Sequence, residues 1–261
     1  MLNLAAAGYE YQSPDRMGKL VEWILNHVQP GGHHFFVHTP IAAQIIAMIV
    51  VSVVVLILFG VIYRKNEKVP TGITNFLEVF VVFVRNEICM KNIGEEDGKK
   101  WAPLFCTFFF FVLGCNLLGL IPGSTTATGN VNVTAGLATI TFLCMTIGVM
   151  AVNGPKKWFG AFVPHGVPIP VLCLITPLEI MGLFIKTFAL TVRLFANMLA
   201  GHIVLFAIMG LLYAFPVYFS FPAGPIGLAV FGLEVFVAFL QAYIFTYLSA
   251  MFLGQVLHPD H

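Results

Sequence analysis

From about Val171 to Tyr213 the sequence keeps an apolar, helical pattern for over 40 residues, and one permanent charge, Arg193, stands near its middle. At a rise of 1.5 Å per residue such a helix is roughly 60 Å long, about twice the hydrocarbon thickness of a bilayer. It must therefore tilt steeply, bend, or run partly in the membrane plane. A guanidinium keeps its proton, and its cost at the centre of a membrane helix is about 2.5 to 3.5 kcal/mol or more on insertion scales. In Thr187 to His202, TFALTVRLFANMLAGH, each residue advances about 100°, so Ala189, Ala196 and Ala200 fall within roughly 60° of Arg193, and Asn197 lies one turn further on. A lane of small side chains lets another helix, or a moving surface, come close enough for a carboxylate to meet the arginine. The alternative is an arginine that snorkels to an interface past about ten apolar residues on either side.

The rest of the chain fits a membrane setting. Of its 261 residues 59% are hydrophobic and 10% charged, and a mean hydropathy of +0.91 excludes an ordinary soluble domain. The net charge of +1 gives no reason to expect a nucleic-acid partner. Cys89, Cys106, Cys115, Cys144 and Cys173 are odd in number and lie mostly in apolar runs, so they read as small apolar residues rather than a disulfide or metal framework. His33, His34 and His38 cluster before Pro40 without carboxylate or Cys partners at ligand spacing; a loop with a short amphipathic helix near Met17 to His27 is the expectation there, and no metal or other cofactor is expected. The N-terminus lacks the basic region and long apolar stretch of a signal peptide and is expected to stay in the mature chain.

The fold class expected is an all-α polytopic membrane protein. It has five transmembrane helices, at about 41–63, 102–121, 136–152, 171–213 and 226–255, plus one interfacial amphipathic helix at 72–92; the last two spans are long, tilted and antiparallel. Residues 1–40 form an N-terminal external segment, 41–257 the membrane domain and 258–261 a tail. The run Glu95, Glu96, Asp97, Lys99, Lys100 reads as a solvated loop, and 215–225, with three prolines and no charge, as a turn. Basic residues concentrate in two loops, Arg64 to Lys100 and Lys156–Lys157, while 122–135 and 215–225 carry none, which puts the N-terminus outside and the C-terminus in the cytoplasm.

Inside the spans the ionisable residues are Glu179, Lys186, Arg193, His202 and Glu234, joined by the polar Asn197 and Gln241. Each is costly against lipid and so a functional candidate. Glu179, Lys186 and Arg193 are seven apart on one helix, and Glu234 and Gln241 repeat that step on the next. If the antiparallel pair sets Gln241 opposite Arg193, His202 lies about 13 Å outward and Glu234 about 10 Å outward, close enough to meet; Glu179 falls about 21 Å inward. A His and a Glu at one depth form a proton relay. Blander readings stand beside these: His202, Asn197 and Gln241 as interhelical packing groups, and Lys186 snorkelling or paired with Glu179.

LTVRLFANMLAGH at 190–202, PLE at 177–179, FLQAYIFTYLS at 239–249 and, more loosely, NLLGLIP at 116–122 carry a resemblance to subunit a of the membrane sector of F-type ATP synthases. The resemblance covers about residues 35 to 257. It implies that Arg193 is the stator arginine facing a rotating ring of c subunits, that Asn197 and Gln241 support it, that Glu179 belongs to the cytoplasmic half-channel, and that His202 and Glu234 occupy the other, with Lys186 a possible support. In some bacterial members the acid and the His stand at the opposite positions, so this chain has the pair exchanged. Gly119 stands where some members carry an acidic residue.

The implied function is that of a non-catalytic stator subunit. It couples proton flow through two half-channels to ring rotation and ATP synthesis, in a bacterial-type cytoplasmic membrane. The implied partners are the c ring, b-type peripheral stalk subunits, the remainder of the synthase, lipid and protons. No GxxxxGK[ST] or HExxH motif is present. A stand-alone cation transporter would call for paired repeats or broken helices around a midplane site, and neither is visible. An intramembrane hydrolase would need a nucleophile and base at paired spacing, also not visible.

Overall fold

A computed structural model describes residues 40–64, 72–121, 127–160, 162, 169–214 and 217–258. The histidines at 33, 34 and 38, the helix expected near 17–27 and the external segment lie outside these residues. The described chain is all helical. Helix α1 spans Pro40–Arg64. Helix α2 runs over 73–93, as Ile73–Phe83, a wider π-helical stretch Val84–Met90, and Lys91–Ile93. Helix α3 is Glu95–Gly119, α4 is Val131–Asn153 with a π-helical stretch at Cys144–Gly148, and α5 is Pro155–Gly160. Helices α6, Ile169–Ala214, and α7, Val217–Leu257, have 46 and 41 residues.

Four helical segments are long and apolar enough to cross a membrane: Glu95–Gly119, Val131–Asn153, Val171–Leu205 and Pro225–Leu257; Gln44–Gly60 in α1 is a shorter apolar helix. Two glycines separate elements by conformations that other residues rarely adopt. Gly94 (φ 102°) divides α2 from α3 and Gly154 (φ 80°) divides α4 from α5.

Three expectations are corrected. Residues 95–100 are not a loop: Glu95, Glu96 and Asp97 form the first turn of α3. Acidic groups are favoured where unpaired N–H groups give a helix its positive end, and Lys100 Nζ donates to Asp97 Oδ1 at 2.9 Å across that turn. The turn at 215–225 is also shorter, because α7 is already helical at Val217 and takes in Pro222 and Pro225. Where lipid offers no hydrogen bonds, a helix interrupted by proline costs less than open backbone. Helix α4 begins earlier than expected, at Val131, because the Asn130 side chain caps it by accepting from Asn132 N at 2.9 Å.

The core forms around α3. Phe105, Phe108, Phe109 and Val112 are buried against Val84, Ile88 and Ile93 of α2 and Phe245 and Leu253 of α7, with Leu137 and Met145 of α4 and Leu190 and Leu194 of α6 in the same cluster. Helix α1 packs separately, through Val51 and Val55 against Cys115 and Ala127. Its approach is close at Gly114, where a Cβ would stand 2.7 Å from Val51 Cγ1. The cysteines are all free; Cys89, Cys106 and Cys115 are buried and Cys173 is exposed.

Polar side chains tie the apolar helices together, as they must where water supplies no partners. Thr128 Oγ1 donates to Asn116 Oδ1 at 2.8 Å, Asn130 Nδ2 to Gln44 Oε1 at 2.7 Å, and Asn153 Nδ2 to Leu257 O at 2.9 Å. The amphipathic stretch α2 packs on α3 and α7. Its outer side carries the exposed Glu87–Lys91 ion pair.

Candidate functional site

Helix α6 has two faces. Leu183, Leu190, Leu194 and Met198, spaced by four and seven, are buried. On the other side Ala189, Arg193, Ala196 and Ala200 are exposed. Phe188, at 70% exposure, and Val192 stand beside them. Arg193 thus sits in a shallow lane of methyl groups, and among the described residues it makes no hydrogen bond or ion pair. A permanent cation in an apolar setting is thus turned away from its own bundle.

Helices α6 and α7 pack side by side. Gly201 meets Glu234, and Lys186 meets Gln255, so numbers fall along α6 as they rise along α7 and the pair is antiparallel. Gly201 opens the approach: a Cβ there would stand 3.3 Å from Glu234 Oε1 and 3.6 Å from its Cδ. A cavity of about 190 Å³ lies beside this contact, lined in part by Asn197, Gly201, Glu234, Leu120 and Val237. Glu234 is more than nine-tenths buried, and neither carboxylate oxygen has a hydrogen-bond partner among the described residues. Both Glu234 and Asn197 therefore face one largely apolar chamber with room for water.

His202 follows Gly201 directly. Its Nδ1 lies 3.1 Å from Met198 O, with the Gly119 backbone of α3 close by. The structure thus brings His202, Glu234 and Asn197 to the same end of the α6–α7 pair. Gln241, on α7 between the Glu234 and Gln255 contacts, is buried, and its Nε2 has no partner among the described residues. Glu179 is exposed near the start of α6 and makes no ion pair among the described residues. Lys186 does not pair with Glu179; its Nζ donates to Gln255 Oε1 at 2.8 Å.

Three residues around this site escaped the sequence reading. Gln255 was signalled, since the seven-residue step from Glu234 to Gln241, taken twice more, reaches it. Gly201 gave no local signal, because a glycine's use as a landing place for a carboxylate depends on the facing helix. Asn116 lay in plain view within NLLGLIP. Its role is architectural: it accepts from Thr128 and donates to Ala238 O of α7 at 3.5 Å.

Known proteins are similar to this chain over most of its length. Residues 45–254 match the family model described as ATP synthase A chain. Proteins named ATP synthase subunit a are similar over most of the chain. That of Anaeromyxobacter dehalogenans (strain 2CP-1) is 49% identical over 206 residues, 76% of this chain and 53% of the relative. That of Chloroherpeton thalassium is 46% identical over 222 residues, 82% and 65% respectively. That of Myxococcus xanthus is 44% identical over 208 residues, 76% and 67%. The chain thus spans between about half and two-thirds of the length of these curated relatives. A family match across most of the sequence, with Arg193, Asn197, His202, Glu234 and Gln241 all inside it, leaves one conclusion: this all-helical, multi-pass membrane chain belongs to the ATP synthase A chain family.

Proposed function

We propose that this chain is the stator subunit of the membrane sector of a rotary ATP synthase. In that reading it crosses a bacterial-type cytoplasmic membrane five times, α1 included, with its N-terminus outside and its C-terminus in the cytoplasm. One observation carries the proposal: Arg193 is exposed and unpaired among the described residues, in an exposed alanine lane on a helix whose opposite face is packed into the bundle. A permanent cation so placed is suited to a carboxylate on a surface that slides past, which is what a ring of c subunits would present.

The remaining groups take roles from their positions. Water entering from outside reaches the chamber at Glu234, Asn197 and Gly201, where Glu234 and the neighbouring His202 pass a proton toward the ring carboxylate. Once neutral, that carboxyl can travel through lipid. It returns to the flank bearing Glu179, which lies about 21 Å along α6 from Arg193, and releases its proton toward the cytoplasm. Arg193 stabilises the ionised carboxylate and bars direct passage between the two lanes. Gln241 makes no hydrogen bond to Arg193 among the described residues, and its support of the arginine is taken from the family resemblance. Rotation is used for ATP synthesis elsewhere in the complex, which b-type stalk subunits hold to this chain.

Purification in mild detergent tests the reading. A ring-forming proteolipid is expected to accompany the chain. A chain that is intact, active in cation movement and free of any such partner would favour a stand-alone transporter instead.

A further inference from the structure

Lys186 and Gln255 join the two long helices at a point that the mechanism above leaves unused. Besides its 2.8 Å bond to Gln255 Oε1, Lys186 Nζ lies 5.2 Å from the centroid of the Phe252 ring, a cation–π contact from the same helix. Seven residues, about 10 Å of helix, separate Lys186 from Arg193, and seven more lead to Glu179. The ammonium therefore stands between them, on the inner lane.

The part of α7 that holds Gln255 is fixed from three sides. A Cβ on Gly254 would stand 2.0 Å from Asn92 O of α2. The α4 residue Asn153 donates to Leu257 O at 2.9 Å, and His258 Nε2 lies 3.3 Å from Asp97 Oδ2 of α3. The backbone that bears Gln255 is held in place as a result, and its exposed side chain accepts from Lys186. Among the described residues few other charges face Lys186. On α6 there are Glu179 and Arg193; α4, also packed on α6, has no Asp, Glu, Lys or Arg between Val131 and Asn153; on α7, His258 pairs with Asp97 and Glu234 lies near the far end of the helix pair. A neutral amide orients an ammonium without cancelling its charge, which stays available to a third group.

The geometry points to Lys186 as a second fixed cation on the inner lane, positioned by Gln255, which draws an ionised ring carboxylate toward that lane and eases its proton release. This rests on the rotary reading. No covalent step is involved: a proton leaves the carboxyl for inner-lane water, and the carboxylate gains a positive neighbour. By Coulomb's law one charge about 10 Å away lowers the pH at which a carboxyl releases its proton by about 0.3 to 1.2 units, depending on the effective dielectric.

The test uses the whole synthase in inverted membrane vesicles, with ATP synthesis followed against the pH of the cytoplasmic side at constant driving force. Lys186→Met and Gln255→Glu are both expected to move that profile to more alkaline pH by about half a unit, within the range that one charge produces. Lys186→Arg is expected to keep the parental profile. Gln255→Glu is the discriminating variant, because a purely structural contact would be strengthened by the opposite charge and the profile left in place. Profiles of Gln255→Glu and the parent that superimpose in an assembled complex overturn the proposal, whether or not Lys186→Met assembles. Failure of the rotary reading itself would show separately, as pumping retained in Arg193→Ala.

Discussion

Glu234 rests its carboxylate on Gly201, the residue before His202, at a distance where even one added methyl would stand 3.3 Å from Oε1. The contact joins α6 to α7 at the chamber and makes the absence of a side chain at 201 a condition for the position of the acid. Gly201→Ala is expected to be tolerated with a small loss of function, since a glutamate tip can yield by a few tenths of an ångström. Gly201→Leu fills the chamber and displaces the carboxylate, and is expected to lower passive proton conduction by about tenfold, the effect of roughly 1.4 kcal/mol on a barrier. Conduction through vesicles stripped of the catalytic sector, with assembly checked by co-purification of the ring, measures this. Unaltered conduction in Gly201→Leu would argue against the chamber as the proton's route.

Glu234 meets Gly201, and His202 follows Gly201 in the chain; in the rotary reading the relay should depend on the presence of both groups more than on which helix bears which. Exchanging them, His202→Glu with Glu234→His, is expected to retain partial ATP-driven pumping. The single change Glu234→Leu is expected to abolish it. Total loss in the exchanged variant, with the complex assembled, would mean that the two positions are not equivalent. His202 Nδ1 also lies 3.1 Å from Met198 O, to which a glutamate could not donate in its ionised form.

The close approach of α7 to α2 predicts a stability defect that does not depend on transport. At Gly254 a Cβ would overlap a backbone oxygen, Asn92 O, at 2.0 Å, and backbone cannot swing aside as a side chain can. Gly254→Ala is expected to cost about 1 to 3 kcal/mol or more by overpacking. It should show as reduced abundance in membranes and faster proteolysis. The same substitution at Gly136, where a Cβ would meet nothing within 4 Å, serves as the neutral control.

Asn116 gives a second structural prediction. It is buried and links Thr128 to the Ala238 carbonyl. Asn116→Leu leaves the Thr128 hydroxyl without its acceptor at the end of α3, at a cost of about 1 to 3 kcal/mol. Thermal unfolding in detergent measures it, and the paired change with Thr128→Val is expected to recover part of the loss.

Much of this architecture was legible in the sequence, for reasons of period and charge. The long helices were readable because apolar residues dominate each over many turns, and the shared face of Ala189, Arg193, Ala196 and Ala200 followed from 100° per residue. What failed were places where local composition misleads. Glu95, Glu96 and Asp97 look like a loop until the helix that follows supplies a positive end for them. Pro222 and Pro225 look like a turn, although a helix in apolar surroundings tolerates them. Pairings across helices were hidden for a different reason: Lys186 finds Gln255 rather than Glu179 because the antiparallel neighbour is nearer than the next turns of its own helix. The value of Gly201 and Gly254 likewise depends on what faces them.

Arg193 offers the most direct measurement. In membranes carrying the whole complex with Arg193→Ala, the ring should co-purify as before while ATP-driven proton pumping is lost, because the cation that separates the two lanes is gone. Pumping at the parental rate in that assembled variant would contradict the account.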